Sequence, residues 1–434
     1  MKIFFINIFF ILLFSLNIIN VNALTLNEAI KNSLKYNHLL ISKKHELKSS
    51  NYKLEAANSL KMPSFFLQST YNQLNNIKAI EFATPFGNKA IRLSEKDYIE
   101  LTTGIKLNLY TGGLISGNIK AATENINIKK EQVKETKLNI IYNTKIAYIN
   151  ILELYAVKKI AEKHVESLKK HKKDAENFYK EGIVPYIDVL QTDVKLKEAL
   201  QNLNSINNSI KVAKTNLSLI MGKQVDFSYK VEKIDNIKIK SKINLQNLFN
   251  LAKKNRPVLK EIQYRIRQVD SFIETKKSEL KPKIAIIGDY NYSDAIKDIN
   301  QKGSFALQAK LSFNLNWTNA IHEIESLKET KFAIENRKKD ILSNVLIGVK
   351  KAYEDYITAV SNLQVSKSAV KSAREYCRII NLKYKEGLAD NTDVLDAEAL
   401  KTNALMKEKT NYFNVLKKYF LIQRVTGSEV LDYE

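Results

Sequence analysis

Phe305-Ala306-Leu307-Gln308-Ala309-Lys310-Leu311-Ser312-Phe313-Asn314-Leu315-Asn316-Trp317 alternates without a slip. Phe305, Leu307, Ala309, Leu311, Phe313, Leu315 and Trp317 fall on one side. Ala306, Gln308, Lys310, Ser312, Asn314 and Asn316 fall on the other. Only a strand, whose side chains repeat every two residues, sorts a sequence this way. A strand is therefore predicted over residues 304–317, with one apolar and one wet face. It exceeds the ~9–11 residues that a transmembrane strand needs. A second such strand is predicted over 101–111, where Ile105, Leu107 and Leu109 oppose Gly104, Lys106 and Asn108. Shorter ones follow Pro63 (63–72, with Phe65, Leu67 and Tyr71) and Pro282 (283–292, with Ile284, Ile286, Tyr290 and Tyr292). Tyr110 and Trp317 close their strands, where an interfacial aromatic girdle would sit. Alternation alone fits a soluble hairpin packed on a core equally well. Four strands do not close a membrane barrel, which begins at about eight. A barrel built from this chain must be shared between copies.

The four strands belong to a duplication. An offset of 205 residues lays Tyr179-Lys180-Glu181-Gly182 on Tyr384-Lys385-Glu386-Gly387, Asp188-Val189-Leu190 on Asp393-Val394-Leu395, and Gly222 on Gly427. An offset of 219 lays Pro63 on Pro282 and Tyr71-Asn72 on Tyr290-Asn291. Two matches in the same order define repeats at 24–222 and 244–427, joined by a polar link at 223–243 and followed by a short tail at 428–434. Between the strands and the paired Tyr-Lys-Glu-Gly motifs, residues 114–181 and 320–386 contain no proline and one glycine each, Gly117 and Gly348. Apolar residues recur there at helical spacing, as in Ile140, Ile141, Ala147, Leu154 and Val157. These stretches predict helices of ~100 Å with coiled-coil-like packing and charged outer faces. Gly182 and Gly387 stop them, and shorter helices return from about 185 to 221 and 391 to 426. Helices at about 26–60 and 245–280 precede the strands. The fold class is mainly α with a small β part.

Residues 1–23 read as a secretory signal: Lys2, an apolar run, then Val21-Asn22-Ala23 as the cleavage pattern. The net charge of +23 raises nucleic-acid binding, but lysines alternate with glutamates along the whole chain as on solvated helix faces. No basic block, zinc motif or aromatic stacking cluster supports it, so nucleic acid is excluded as a partner. The single thiol, Cys377, reads as a packing residue. Five scattered histidines, with His164 and His171 two helical turns apart, give no metal site. No catalytic constellation or phosphate loop appears. Neither an enzyme nor a cofactor is expected.

Asp393 and Asp396 stand three apart near the start of a helix and share a face. In a symmetric assembly each becomes a ring that attracts cations. The alternative is that acids in a first turn complement the helix dipole. The same two readings apply to Asp188, the first-half counterpart of Asp393.

Together these features resemble the TolC family of outer-membrane efflux proteins over the whole mature chain. The resemblance is carried by Leu24-Thr25-Leu26-Asn27-Glu28-Ala29-Ile30, the prolines before the first strand of each repeat, Tyr110-Thr111-Gly112-Gly113, the tip sequences Gly182…Asp188-Val189-Leu190 and Gly387…Thr392-Asp393-Val394-Leu395-Asp396-Ala397, and the closing Gly222 and Gly427. It implies a homotrimer with a shared 12-stranded barrel in the outer membrane and a helical α-barrel in the periplasm. A periplasmic adaptor and an inner-membrane transporter of RND or ABC type would be its partners, in tripartite efflux or type I secretion. It further implies acidic rings at the periplasmic entrance, at Asp393 and Asp396, and a tip gate network including Asp188 and Tyr384. Departures are Asn37-His38 where an Asn-Pro is usual, Thr318-Asn319 in place of a Gly-Gly pair, and Ala389 where a basic latch residue is expected. Arg378 or Lys383 would be the replacement. The competing reading is a secreted periplasmic coiled-coil scaffold without a pore.

Overall fold

The computed structural model describes residues 23–77, 79–223, 228–233, 243–296, 302–314 and 317–428. Nearly all of the predicted signal sequence (1–23), most of the predicted link, the tail beyond 428 and residues 78, 297–301 and 315–316 lie outside them. The first half runs α1 (Leu26–Tyr36), α2 (His38–Ser59), β1 (Ser64–Gln73), β2 (Ala79–Thr84), β3 (Gly87–Arg92), β4 (Asp97–Tyr110), α3 (Leu114–Lys180) and α4 (Tyr186–Ile220). The second runs α5 (Leu245–Asn255), α6 (Pro257–Lys277), β5 (Lys283–Ser293), β6 (Gly303–Ser312), α7 (Trp317–Lys385) and α8 (Asn391–Thr426). The same succession thus occurs twice, except for the hairpin β2–β3. The β1–β4 connection is fourteen residues longer than the β5–β6 connection, which equals the difference between the two offsets of the duplication. Residues 79–92 of the hairpin account for that length.

The two long helices hold 67 and 69 residues. At 1.5 Å per residue each spans ~100 Å. Shorter helices flank them in two tiers. Near the sheet, α2 and α6 pack on α3, and α6 packs on α7; towards the far end, α4 and α8 pack on α3, and α8 packs on α7. The tiers meet at two breaks. At Arg256 the chain leaves helix (ψ 118) because Pro257 excludes the α conformation from its predecessor. Asn37 breaks the first half without a proline. Its ψ is 122, its Oδ1 caps the amides of Leu39 and Leu40, and its Nδ2 donates to the Ile220 carbonyl at 2.9 Å. The ends of α4 and α8 butt against these breaks. Gly222 and Gly427 both have φ of 68°, the left-handed helix stop that favours glycine. A Cβ on Gly427 would lie 3.1 Å from the Asn255 carbonyl carbon, and one on Gly222 would collide with the Tyr36 carbonyl.

Around this waist lies the main core, with Tyr148, Ile149, Ile151, Leu217, Leu248, Val349, Tyr356, Phe420 and Ile422 all fully buried. The Tyr148 hydroxyl lies 2.7 and 2.8 Å from the carbonyls of Leu24 and Glu232, which tethers the start of the chain and the described piece of the link to α3. Leu24 also bridges Val231 in parallel. Glu135 on α3 accepts from Arg256 at 3.0 Å and from Arg424 at 2.7 Å, and Arg424 also bonds Asn139. This half-buried knot joins α3, the α5–α6 break and the end of α8.

The four long strands form one antiparallel sheet in the order β1-β4-β5-β6. One face carries Phe65, Leu67, Tyr71, Ile105, Ile284, Ile286, Phe305, Leu307 and Leu311, all exposed; Phe305 is 87% and Leu307 82% accessible. The sequence places a strand through Trp317, but β6 ends at Ser312 and Trp317 begins α7. The reason is the partner strand. Ser312 pairs with Lys283, the first residue of β5, and the residue before that is Pro282, which has no amide to donate. Pairing runs out although the alternation continues. Trp317 keeps an aromatic contact with Phe313 at 5.9 Å. Trp317 and Tyr110 are about half exposed, both at the end of the sheet where the helices attach.

Candidate functional site

Two turns sit at the end of the helical body far from the sheet. One joins α3 to α4 through Gly182; the other joins α7 to α8 through Gly387. Asn391, the first residue of α8, is buried between them. Its Oδ1 accepts from His171 Nε2 on α3 at 2.8 Å and from Thr192 Oγ1 on α4 at 3.2 Å. Its Nδ2 donates to the Asp188 carbonyl at 3.2 Å and to Gln191 Oε1 at 3.4 Å. One amide therefore ties the second hairpin to both helices of the first. The His171 ring packs edge-on against Tyr384 of α7, with centroids 5.3 Å apart, and Phe178 flanks it at 6.0 Å.

The residues singled out in the sequence divide around this knot. Asp188 and Tyr384 come together there. Asp188 is half-buried; burial and the charge of Asp390 push its carboxyl above its ordinary range, against the opposing effect of His171. The Tyr384 hydroxyl is buried and makes no hydrogen bond among the described residues. Burial, followed by the charges of Asp188 and Asp174, raises its pKa. Asp393 and Asp396 lie outside the knot, both exposed on α8. Asp393 also closes a capping box: its carboxylate accepts from the Asp390 amide at 3.2 Å. Asp396 makes no ion pair among the described residues. Arg378 pairs with Glu375 on its own helix at 2.7 Å, both side chains being exposed.

Sequence reasoning missed Asn391 and Thr192, and weighed His171 only as a metal ligand. The signal was present in the duplication. At the offset of 205, Asn391 aligns with Tyr186 and His171 with Tyr376, so the halves diverge where the tip is tied. A second histidine bond lies further up the same pair of helices, where His164 Nδ1 is 3.0 Å from Thr402 Oγ1. Burial holds His164 below its ordinary pKa. Beside it Cys377 donates to Glu398 at 3.2 Å, and Lys401 pairs with the Glu398 carboxylate at 2.7 Å. Burial raises the Glu398 pKa, but the bonds from Lys401 and Cys377 outweigh it and hold the carboxyl low. Both histidines are thus satisfied by side chains. No group of His, Cys, Asp or Glu among the described residues could hold a metal.

A four-stranded sheet with an exposed apolar face thus sits at one end of a helical body of ~100 Å. The outer membrane efflux protein family matches residues 29–223 and 248–415, and the chain belongs to it. It is therefore an outer-membrane channel protein, not an enzyme, with its helical part in the periplasm. Outer membrane protein TolC of Vibrio cholerae serotype O1 is 22% identical over 188 residues, or 43% of this chain and 42% of that relative's length. The outer-membrane channel OprN is similar in structure, with a TM-score of 0.77 at 15% identity, covering 93% of this chain and 90% of the other. VceC of Vibrio cholerae gives 0.77 at 16% identity over 93% and 96%, and CusC gives 0.78 at 12% over 93% and 92%.

Proposed function

We propose that three copies of the chain assemble into the exit duct of a tripartite efflux or type I secretion system. The observation that carries this is the sheet. Among the described residues its outer strands, β1 and β6, each have one unpaired edge, and no helix covers its exposed apolar face. Edge strands left open in this way invite pairing with another chain. Threefold pairing of β6 with the β1 of the next copy gives twelve strands, an even number within the range of bacterial barrels. Among the described residues no helix is long and apolar enough to cross a membrane, so the barrel would be the spanning element. Tyr110 and Trp317 would mark its periplasmic girdle. The helical body would reach toward a periplasmic adaptor and an inner-membrane transporter of RND or ABC type. The exposed Asp393 and Asp396 would form acidic rings at the entrance, and Asp188 and Tyr384 would belong to the gate.

Planar-bilayer recordings test the reading. The purified protein is expected to form channels, and Asp393→Asn/Asp396→Asn to lower their cation preference. Channels indifferent to the double substitution would leave the acids as helix-start residues. Folded protein that inserts without conducting would favour the scaffold.

A further inference from the structure

The register of the sheet places three lysines together on the face opposite the apolar one. Lys106 pairs with Ile287, which pairs with Gln308; one two-residue step nearer the helices, Asn108 pairs with Ala285 and Ala285 with Lys310; one step further, Lys283 pairs with Ser312. Paired residues, and residues two apart, share a face. The three lysines therefore occupy three successive rows, spanning ~14 Å along the strands, at the helix-proximal end of the wet face. Lys106 and Lys310 are exposed and Lys283 is half-exposed. None of the three forms an ion pair among the described residues.

The acids on this face are elsewhere. Glu100 lies near the far end, opposite Ser293. Asp289 lies one row beyond Lys106 and is buried, accepting from Gln308 Nε2 at 3.1 Å and from Asn291. Thr102 donates to Asn291 in turn at 2.7 Å. Amide donors thus satisfy Asp289. The end of the wet face nearest the helices carries positive charge alone.

We propose that Lys106, Lys283 and Lys310 form a basic collar inside the barrel that favours anionic solutes, such as carboxylate- or phosphate-bearing molecules. The inference rests on the trimeric barrel proposed above. Three copies bring nine ammonium groups to the collar. Twelve strands ~4.8 Å apart and tilted ~40° enclose a backbone diameter of ~24 Å. Lysine stems reach well inside that radius, so the axis lies within about one Debye length, ~10 Å at 0.1 M salt, of several charges. Rings of lysine select anions by this means. The duct would then carry two filters of opposite sign in series, acidic at the entrance and basic where the helical body meets the barrel.

The test is the chloride-to-potassium permeability ratio in planar bilayers, measured in the Asp393→Asn/Asp396→Asn background so that no acidic ring contributes. Adding Lys106→Gln, Lys283→Gln and Lys310→Gln is expected to lower the ratio at least threefold or so in about 0.1 M KCl, and much less in about 1 M, where the Debye length is ~3 Å. The corresponding arginine substitutions are expected to keep it. An unchanged ratio in channels of ordinary conductance overturns the collar. So does an anion preference, with all lysines present, that does not shrink between the two salt concentrations; this arm needs no collar variant. Folded protein that inserts but never conducts overturns instead the barrel on which the collar rests.

Discussion

Asn391→Ala is expected to loosen the tip. The side chain is 2% exposed and makes four polar contacts. These do not count equally. Thr192 also bonds the Asp188 carbonyl at 2.8 Å, so hydroxyl and carbonyl keep each other when the amide is gone. Gln191 is at the edge of bonding distance. The principal loss is at His171, only 9% exposed, whose Nε2 proton is left without an acceptor. Orphaning a buried donor costs ~1–3 kcal/mol. With the lesser contacts, about 2–3 kcal/mol favouring the joined hairpins would disappear, a roughly 30- to 150-fold rise in the population with the tip parted. Single-channel recording would show this as longer or larger openings, and cells would admit a large antibiotic more readily. A double-mutant cycle with His171→Ala sharpens the test, since two residues sharing one bond must lose less together than the sum of their separate losses. Openings unchanged in folded Asn391→Ala, or strictly additive effects in the cycle, would refute the amide as the tie.

Three further outcomes are expected. Glu135→Gln leaves Arg256 and Arg424, 12% and 16% exposed in their side chains, without their shared charge, and should cost about 3 kcal/mol in denaturant unfolding; a loss no larger than that of the exposed Glu198→Gln would contradict it. His164 has a depressed pKa in the folded chain, so its contribution to stability is complete above the unfolded value near 6.5 and is lost as pH falls through the lower folded value. Melting curves at pH 7.5 and 5 should differ less in His164→Gln than in the unaltered protein, and an equal pH dependence would remove the histidine from the account. Deleting residues 79–92 should leave assembly and melting temperature nearly unchanged, because β2 and β3 pair only with each other and their residues are exposed; loss of the trimer in gel filtration would show that the hairpin contributes to it.

Much of the architecture was legible because each element has its own periodicity. Strict alternation marked β6, and the absence of proline marked α3 and α7. The paired glycines placed both turns. Alternation failed at its far end, since it records which side chains prefer which face and says nothing of whether a partner strand is still present. Alternation therefore carries the expected strand to Trp317, whereas β6 stops at Ser312. The β2–β3 hairpin went unread as structure, although its length was implicit in the two offsets. The helices expected unbroken over about 26–60 and 245–280 are both broken, and the asparagine cap at Asn37 does by hydrogen bonding what Pro257 does in the second repeat. At the tip, single-chain chemistry points to carboxylates, whose charge is conspicuous. A neutral amide joining three helices is visible only once those helices are packed.

The inequality of the two halves bears on stoichiometry. The trimer proposed above would offer six quasi-equivalent hairpins, a geometry that a ring of six partner subunits would match. Yet Asn391 and His171 are buried, whereas Tyr186 and Tyr376, which stand in their places in the other repeat, are exposed, so successive hairpins present different surfaces. A sixfold ring docking there would meet two kinds of groove in alternation. Its subunits, though identical in sequence, would be bound with two affinities, and titration of such a partner should resolve two classes of three rather than one class of six.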